Sequence, residues 1–172
     1  MDTLQSIEQA FEIAHAQNRA ALMPYFTIGY PDLPTSFAII QAVAEAGADL
    51  IELGIPFSDP LADGPTIQHS TQVALQNGVT LETCLRFVER LRQHGLTIPL
   101  LLMGYYNPIF SFGSERFARM AAENGAQGII IPDLPPEEAG ELRQSCGQVD
   151  LAMVHLVAPT TPPQRMRYIA EC

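Results

Sequence analysis

Short, nearly continuous apolar runs alternate along the chain with stretches whose apolar residues recur every three or four positions. The apolar runs predict five strands, at 22–28, 49–53, 98–103, 128–132 and 151–157. Uniform apolarity of this kind is what a parallel sheet covered on both faces requires. The intervening stretches predict helices over 35–46, 66–76, 81–93, 114–124, 137–145 and from 163 to the last residue, after a leading helix from Asp2 to about Ala16. Pro65, Pro136 and Pro163 stand where a first helical turn tolerates a missing N–H, and Gly47, Gly95 and Gly125 follow helix ends. The segments AGAD (46–49) and GAQG (125–128) look like one helix-to-strand turn used twice. Repeated βα units fit two architectures. One is an open sheet of strand order 2-1-3-4-5; the other is part of an eight-stranded (β/α) barrel, with order 1-2-3-4-5 and helices outside.

Composition narrows the chemistry. With 172 residues, 47% of them hydrophobic and 16% charged, the chain has the material for one core and is treated as one unit, residues 1–172. A formal net charge of −10 repels phosphate backbones and anionic lipid, so neither nucleic acid nor a membrane surface is an expected partner. All nine cations are Arg, and the absence of Lys excludes Schiff-base chemistry, a P-loop and pyridoxal anchoring on this chain. Cys84, Cys146 and Cys172 lack metal or disulfide spacing, and His15, His69, His94 and His155 lack ligand spacing, so no metal site is expected. The first twenty residues carry no basic region followed by a long apolar run, and a cytoplasmic location is expected.

The segment 49–68, DLIELGIPFSDPLADGPTIQ, is the most informative. Alternation along a strand puts Leu50 and Glu52 on one face and Ile51 and Leu53 on the other, so Glu52 projects into an apolar layer at its strand's carboxyl end. Desolvation there raises a carboxyl pKa toward neutrality, where one group can both give and take a proton. The position also suits a strand-end Glu bonded to nearby backbone. The following loop sets Asp59 and Asp63 among Pro56, Pro60, Gly64 and Pro65, stiff enough to hold a carboxylate over a site. Asp63 equally suits capping of the helix that begins near Pro65.

Together with LMPYFTIGYPD (22–32), LLMGYYNPIF (101–110) and IIIPDLPPEE (129–138), this segment resembles the α subunit of tryptophan synthase, in order from about Arg19 to the last residue. The resemblance implies the (β/α)8 TIM-barrel fold and a lyase of tryptophan biosynthesis. The reaction is retro-aldol cleavage of indole-3-glycerol phosphate to indole and glyceraldehyde 3-phosphate. It places Glu52 as the acid–base residue and Asp63 as the carboxylate that stabilises positive charge on the indole nitrogen. Tyr25, Leu102 and Ile130 match positions lining the indole pocket, and Tyr25 stands where the family often has Phe, so its hydroxyl needs a partner.

The resemblance also implies an αββα assembly with a β subunit. The contact surface would fall at Pro56–Asp59, at Tyr106–Pro108 with Asn107 at its centre, and in the stretch after Asp133. No cofactor is implied for this chain, because pyridoxal phosphate belongs to the β subunit. The family continues for three strands past the position of Cys172, carrying a second mobile loop, a tyrosine near the reacting centre and the phosphate-binding loops. The expectation is therefore a partial barrel of strands 1–5 that by itself releases no measurable indole. The alternatives are a catalytically silent fragment that only binds the β subunit, and an unrelated phosphosugar isomerase or epimerase on a similar barrel. The absence of Lys and the 49–68 signature count against the last.

Overall fold

Five strands, β1 (Tyr25–Thr27), β2 (Ile51–Gly54), β3 (Leu100–Met103), β4 (Gly128–Ile130) and β5 (Ala152–Val154), form one parallel sheet in the order β1-β2-β3-β4-β5. The first strand lies at an end of that order, which excludes the 2-1-3-4-5 alternative. The structure is a computed structural model and describes residues 3–172; Asp2, expected in the leading helix, lies outside the described residues. The helices are α1 (Thr3–Ala16), α2 (Leu33–Glu45), α3 (Pro65–Gln76), α4 (Leu81–Gln93), α5 (Tyr106–Phe112), α6 (Ser114–Glu123), α7 (Gly140–Gly147) and α8 (Pro163–Ala170).

Register fixes which side chains share a face. Tyr25, Glu52, Leu101, Gly128 and Ala152 lie in one row across the sheet, and Thr27, Gly54, Met103, Ile130 and Val154 in a second row two residues on. These rows face the barrel interior. Leu50, Leu101 and Ile130 are buried there with Ala10 of α1, and Ile7, Met103 and Val154 pack against them. The opposite parity, Leu53, Leu102 and Ile129, belongs to the larger core between sheet and helices, with Leu85, Val88 and Phe117.

The strands are shorter than the apolar runs that predict them. Leu22, Leu156 and Val157 are exposed outside the ladders, so those runs continue past the paired residues. Helix α2 begins two residues before its expected start because the Asp32 side chain accepts from the Thr35 amide and Pro34 fits the first turn. Helix α7 begins at Gly140 rather than 137, since Glu138 and Ala139 donate to Pro135 and Pro136 in tight turns. The seven-residue α5 was not expected; it lies within one of the segments read for its chemistry and is too short to show periodicity. Gly47, Gly95 and Gly125 take φ of 103°, 86° and 92°, as helix-ending glycines do.

Two arginines organise the amino-terminal side of the sheet. Arg92 on α4 donates from Nε to Gly125 O at 2.9 Å, from Nη1 to Leu96 O and Ile98 O at 2.6 and 2.8 Å, and from Nη2 to Gln127 Oε1. Gln127 Oε1 also accepts from the Leu100 amide at 2.9 Å, so the knot ties α4 to the entrances of β3 and β4. Arg19 makes a two-point pair with Asp49 at 2.6 and 2.7 Å, and Asp49 also accepts from the Leu22 amide at 2.8 Å. These bonds hold the Asp49 carboxyl down at about 2, chiefly through the Arg19 hydrogen bond. A depressed carboxyl contributes stability above its unfolded value and loses that contribution as pH falls through the folded one. We expect the Asp49→Asn variant to lose the part of the acid-unfolding profile that lies between about pH 4 and pH 2. Acid titrations followed by circular dichroism, run in parallel on variant and parent, measure it; superimposable profiles would rule this coupling out.

Candidate active site

Two residues before the carboxyl end of β2, Glu52 is half-buried in the inward row beside Tyr25 and Leu101. Burial raises its pKa, and the negative charge of Asp63 raises it further. Both effects favour a protonated carboxyl, which can deliver a proton and recover one. Glu52 thus faces the apolar layer that alternation along the strand places it in, half-buried rather than enclosed by it.

Tyr25 answers the question of its hydroxyl partner through a chain. Its oxygen lies 3.3 Å from Thr27 Oγ1, Thr27 Oγ1 lies 2.7 Å from Ser70 Oγ, and Ser70 donates to Ile67 O at 2.9 Å. Burial pushes the Tyr25 phenol up to about 12 against the opposing Thr27 hydrogen bond, with Asp63, Glu52 and Tyr105 adding smaller repulsive contributions. The Tyr25 ring fills the room above Gly54, where any Cβ would collide with it.

Asp63 does not cap α3. The cap position is Gly64, without a side-chain bond, and Asp63 Oδ2 instead accepts from the Tyr105 hydroxyl at 3.0 Å. The same hydroxyl accepts from the Ala62 amide at 2.9 Å, and the Phe57 and Tyr105 ring centroids are 5.2 Å apart. Sequence reasoning missed Tyr105. The signal available was a Tyr pair directly after a strand and a glycine, at the end where barrel chemistry gathers.

Two expected positions are corrected. Leu102 is fully buried among helix-facing residues and does not line the interior; the inward residue at that end of β3 is Met103, opposite Ile130. The run IPLLLM (98–103) is apolar throughout, so its parity cannot be read from hydrophobicity. Pro56 is buried just past the end of β2, not exposed as a contact residue would be, whereas Asp59, Asn107 and Asp133 are exposed. Ile130 lies in the inner layer as expected. Asp133 has a structural task as well: its carboxylate accepts from the Tyr106 amide at 3.0 Å, fastening the loop after β4 to the start of α5. His155 lies just past β5 rather than within it, against a cleft of about 620 Å³ that contains neither Glu52 nor Asp63.

Parallel strands in sequential order, with Tyr25 and Glu52 on the inward row and Asp63 and Tyr105 on the segments that follow β2 and β3, define a (β/α)-barrel protein with polar groups toward the end where such barrels carry their chemistry. Comparison with known proteins gives the family. The sequence profile of the tryptophan synthase alpha chain matches residues 11–172. The chain is 49% identical over 167 residues to the tryptophan synthase alpha chain of Roseiflexus sp. (strain RS-1), covering 97% of this chain and 64% of that one. It is 48% identical over 167 residues to tryptophan synthase of Saccharomyces cerevisiae, covering 97% of this chain and 24% of that protein. Among solved structures, tryptophan synthase subunit alpha from Legionella pneumophila superposes with a TM-score of 0.91 at 38% identity, over 95% of this chain and 63% of that one. The aminoacrylate-bound form of tryptophan synthase from M. tuberculosis superposes with a TM-score of 0.91 at 40% identity, over 96% and 67%. The chain belongs to the tryptophan synthase alpha chain family, and it spans less than two thirds of the length of the curated relatives just described. Among the described residues no helix is long and apolar enough to cross a membrane.

Proposed function

We propose that the protein carrying this chain cleaves indole-3-glycerol phosphate to indole and glyceraldehyde 3-phosphate. The observation that carries the reading is a partly desolvated Glu52 on the inward row of β2, with a second carboxylate, Asp63, held by Tyr105 on the loop that follows and adding its charge to the upward shift of Glu52. The protonated Glu52 gives its proton to C3 of the indole ring, and Asp63 supports the positive charge that develops at the ring nitrogen. The carboxylate then takes the proton of the adjacent glycerol hydroxyl. Its oxygen electrons form the aldehyde carbonyl as the carbon–carbon bond breaks, and that bonding pair restores the aromatic ring. Atoms and charge balance, and the ring itself is the electron sink. The absence of Lys is therefore no obstacle, and the step calls for no cofactor on this chain.

Tyr25, Met103 and Ile130 supply inward surface for the flat indole ring. Exposed Asp59, Asn107 and Asp133 offer polar anchors for a pyridoxal-dependent β chain in an αββα assembly, and the cytoplasm is the corresponding location. A silent module that only docks on the β chain would have no use for a carboxyl tuned in this way.

The test is incubation of the whole protein that carries this chain, rather than residues 1–172 by themselves, with indole-3-glycerol phosphate, with and without a tryptophan synthase β chain. Indole and glyceraldehyde 3-phosphate are expected in equal amounts. Tight β-chain binding with no indole under either condition would favour the silent module.

A further inference from the structure

We propose that Tyr105 is a positioning residue for Asp63: its hydroxyl and ring together clasp the 57–63 loop over the carboxyl end of β2, presenting one oxygen of Asp63 to the substrate. This rests on the functional reading above.

The phenol oxygen uses both of its capacities on the loop. It accepts from the Ala62 amide at 2.9 Å and donates to Asp63 Oδ2 at 3.0 Å, so two consecutive loop residues are fixed by a single atom. The ring grips the beginning of the same loop through Phe57. Tyr105 can act as a fixed point because its own backbone is held on both sides. Gly104 donates to Ile130 O at 3.1 Å, and the Tyr106 amide is taken by Asp133. Tyr105 is 5% exposed, so its ring is fixed by its surroundings.

The loop contributes little anchorage of its own. Ser58, Asp59 and Ala62 are exposed, and Leu61 is 93% exposed. Without the phenol, the chain would still turn through Leu61 to Asp59 O and Asp63 to Pro60 O, and Gln68 Nε2 would still donate to Asp63 O at 2.9 Å, but these bonds hold the backbone and the Asp63 carboxylate would lose its Tyr105 donor. The bond occupies Oδ2 and leaves Oδ1 to accept the indole N–H. Charge placed in advance in this way acts on the transition state and leaves ground-state binding largely unchanged.

Tyr105→Phe keeps the ring and removes the oxygen. In the protein with its β chain, it should lower kcat for indole release about 10–100-fold while KM moves less than about threefold. Combined with Asp63→Asn, it should cost almost nothing further, because a residue acting through Asp63 has no effect once that carboxylate is gone. Equal loss in the presence and absence of the Asp63 carboxylate, or unchanged kcat in Tyr105→Phe, would overturn the proposal.

Hydrogen exchange at the Ala62 amide of the unaltered protein gives a reading that does not depend on activity or on the variant folding. Protection is expected, and exchange at the rate of an open loop would refute the clasp. Absence of indole from the unaltered protein would count against the functional reading instead, with Ala62 protection still deciding the clasp.

Discussion

Glu52→Gln should reduce indole release by about 10²–10⁴-fold, the range that a positioned acid–base group supplies, while the protein becomes more stable at neutral pH. The amide keeps the size of the side chain and its place beside Tyr25 and Leu101, so the indole surface is unchanged and KM should move little. The gain in stability follows from the direction of the Glu52 shift. A carboxyl raised by burial and by Asp63 binds its proton more tightly in the folded chain than in the unfolded one. Its ionisation therefore opposes folding. Stability is highest below the ordinary Glu value of about 4.3 and declines as pH rises through the higher folded value. Glutamine carries no such penalty, so the variant should melt above the parent at pH 7, and the difference should close as pH falls below about 4. Paired melting curves at pH 7 and pH 4, with an indole assay at pH 7, measure both halves. Near-parental turnover would remove Glu52 from the chemistry; a variant that melts below its parent at pH 7 would show that the carboxylate is better solvated than its surroundings indicate.

Arg92→Met should destabilise the protein by about 2–4 kcal/mol, because several polar groups lose their partner together. The carbonyls of Gly125, Leu96 and Ile98 and the side chain of Gln127 all accept from one guanidinium. Burial lowers the Arg92 pKa to about 10, so it remains charged at neutral pH, and its charge is distributed over these oxygens. Methionine fills the volume and satisfies none of them; water reaching a half-buried site recovers part of the loss. Lys keeps the charge and cannot span carbonyls set in a fork, so Arg92→Lys should fall between parent and Met. Urea unfolding of the three proteins gives the order directly, and a midpoint for Arg92→Met equal to that of the parent would mean that solvent replaces the knot at no cost.

What the sequence disclosed and what it withheld divide along the range of the interactions. Glu52 could be read because a charged residue inside the apolar run 50–53 stands out whatever the parity of β2, and because its place near a strand end has chemical meaning. Leu102 was misplaced because residues 98–103 are apolar on both faces, and parity then depends on pairing with Leu53 and Ile129, which only the folded sheet supplies. Asp63 was open between a cap and a site residue because its deciding partner, Tyr105, lies 42 residues away. Asp133 reads as a surface carboxylate until α5, 27 residues earlier, presents an amide to it. Helix α5 itself spans seven residues, with Pro108 in its first turn, and carries too few turns for its pattern to emerge. Strand order, by contrast, followed from alternating βα units together with the family signature, with no need for individual contacts.

The ring of Tyr25 and the bare Cα of Gly54 occupy one volume between them, and this constrains how the two positions can change. A methyl group at 54 is admissible only after the side chain at 25 has shrunk or turned aside, and a large aromatic at 25 is admissible only while 54 stays bare. Evolution can cross between these arrangements in one order and is blocked in the other. The hydroxyl chain from Tyr25 through Thr27 to Ser70 extends the dependence to α3, so a path that removes the phenol oxygen also releases Thr27 from one of its partners. Positions 25 and 54 are thus coupled through one volume and 25, 27 and 70 through one hydroxyl chain, so the effects of substitutions among them should not add.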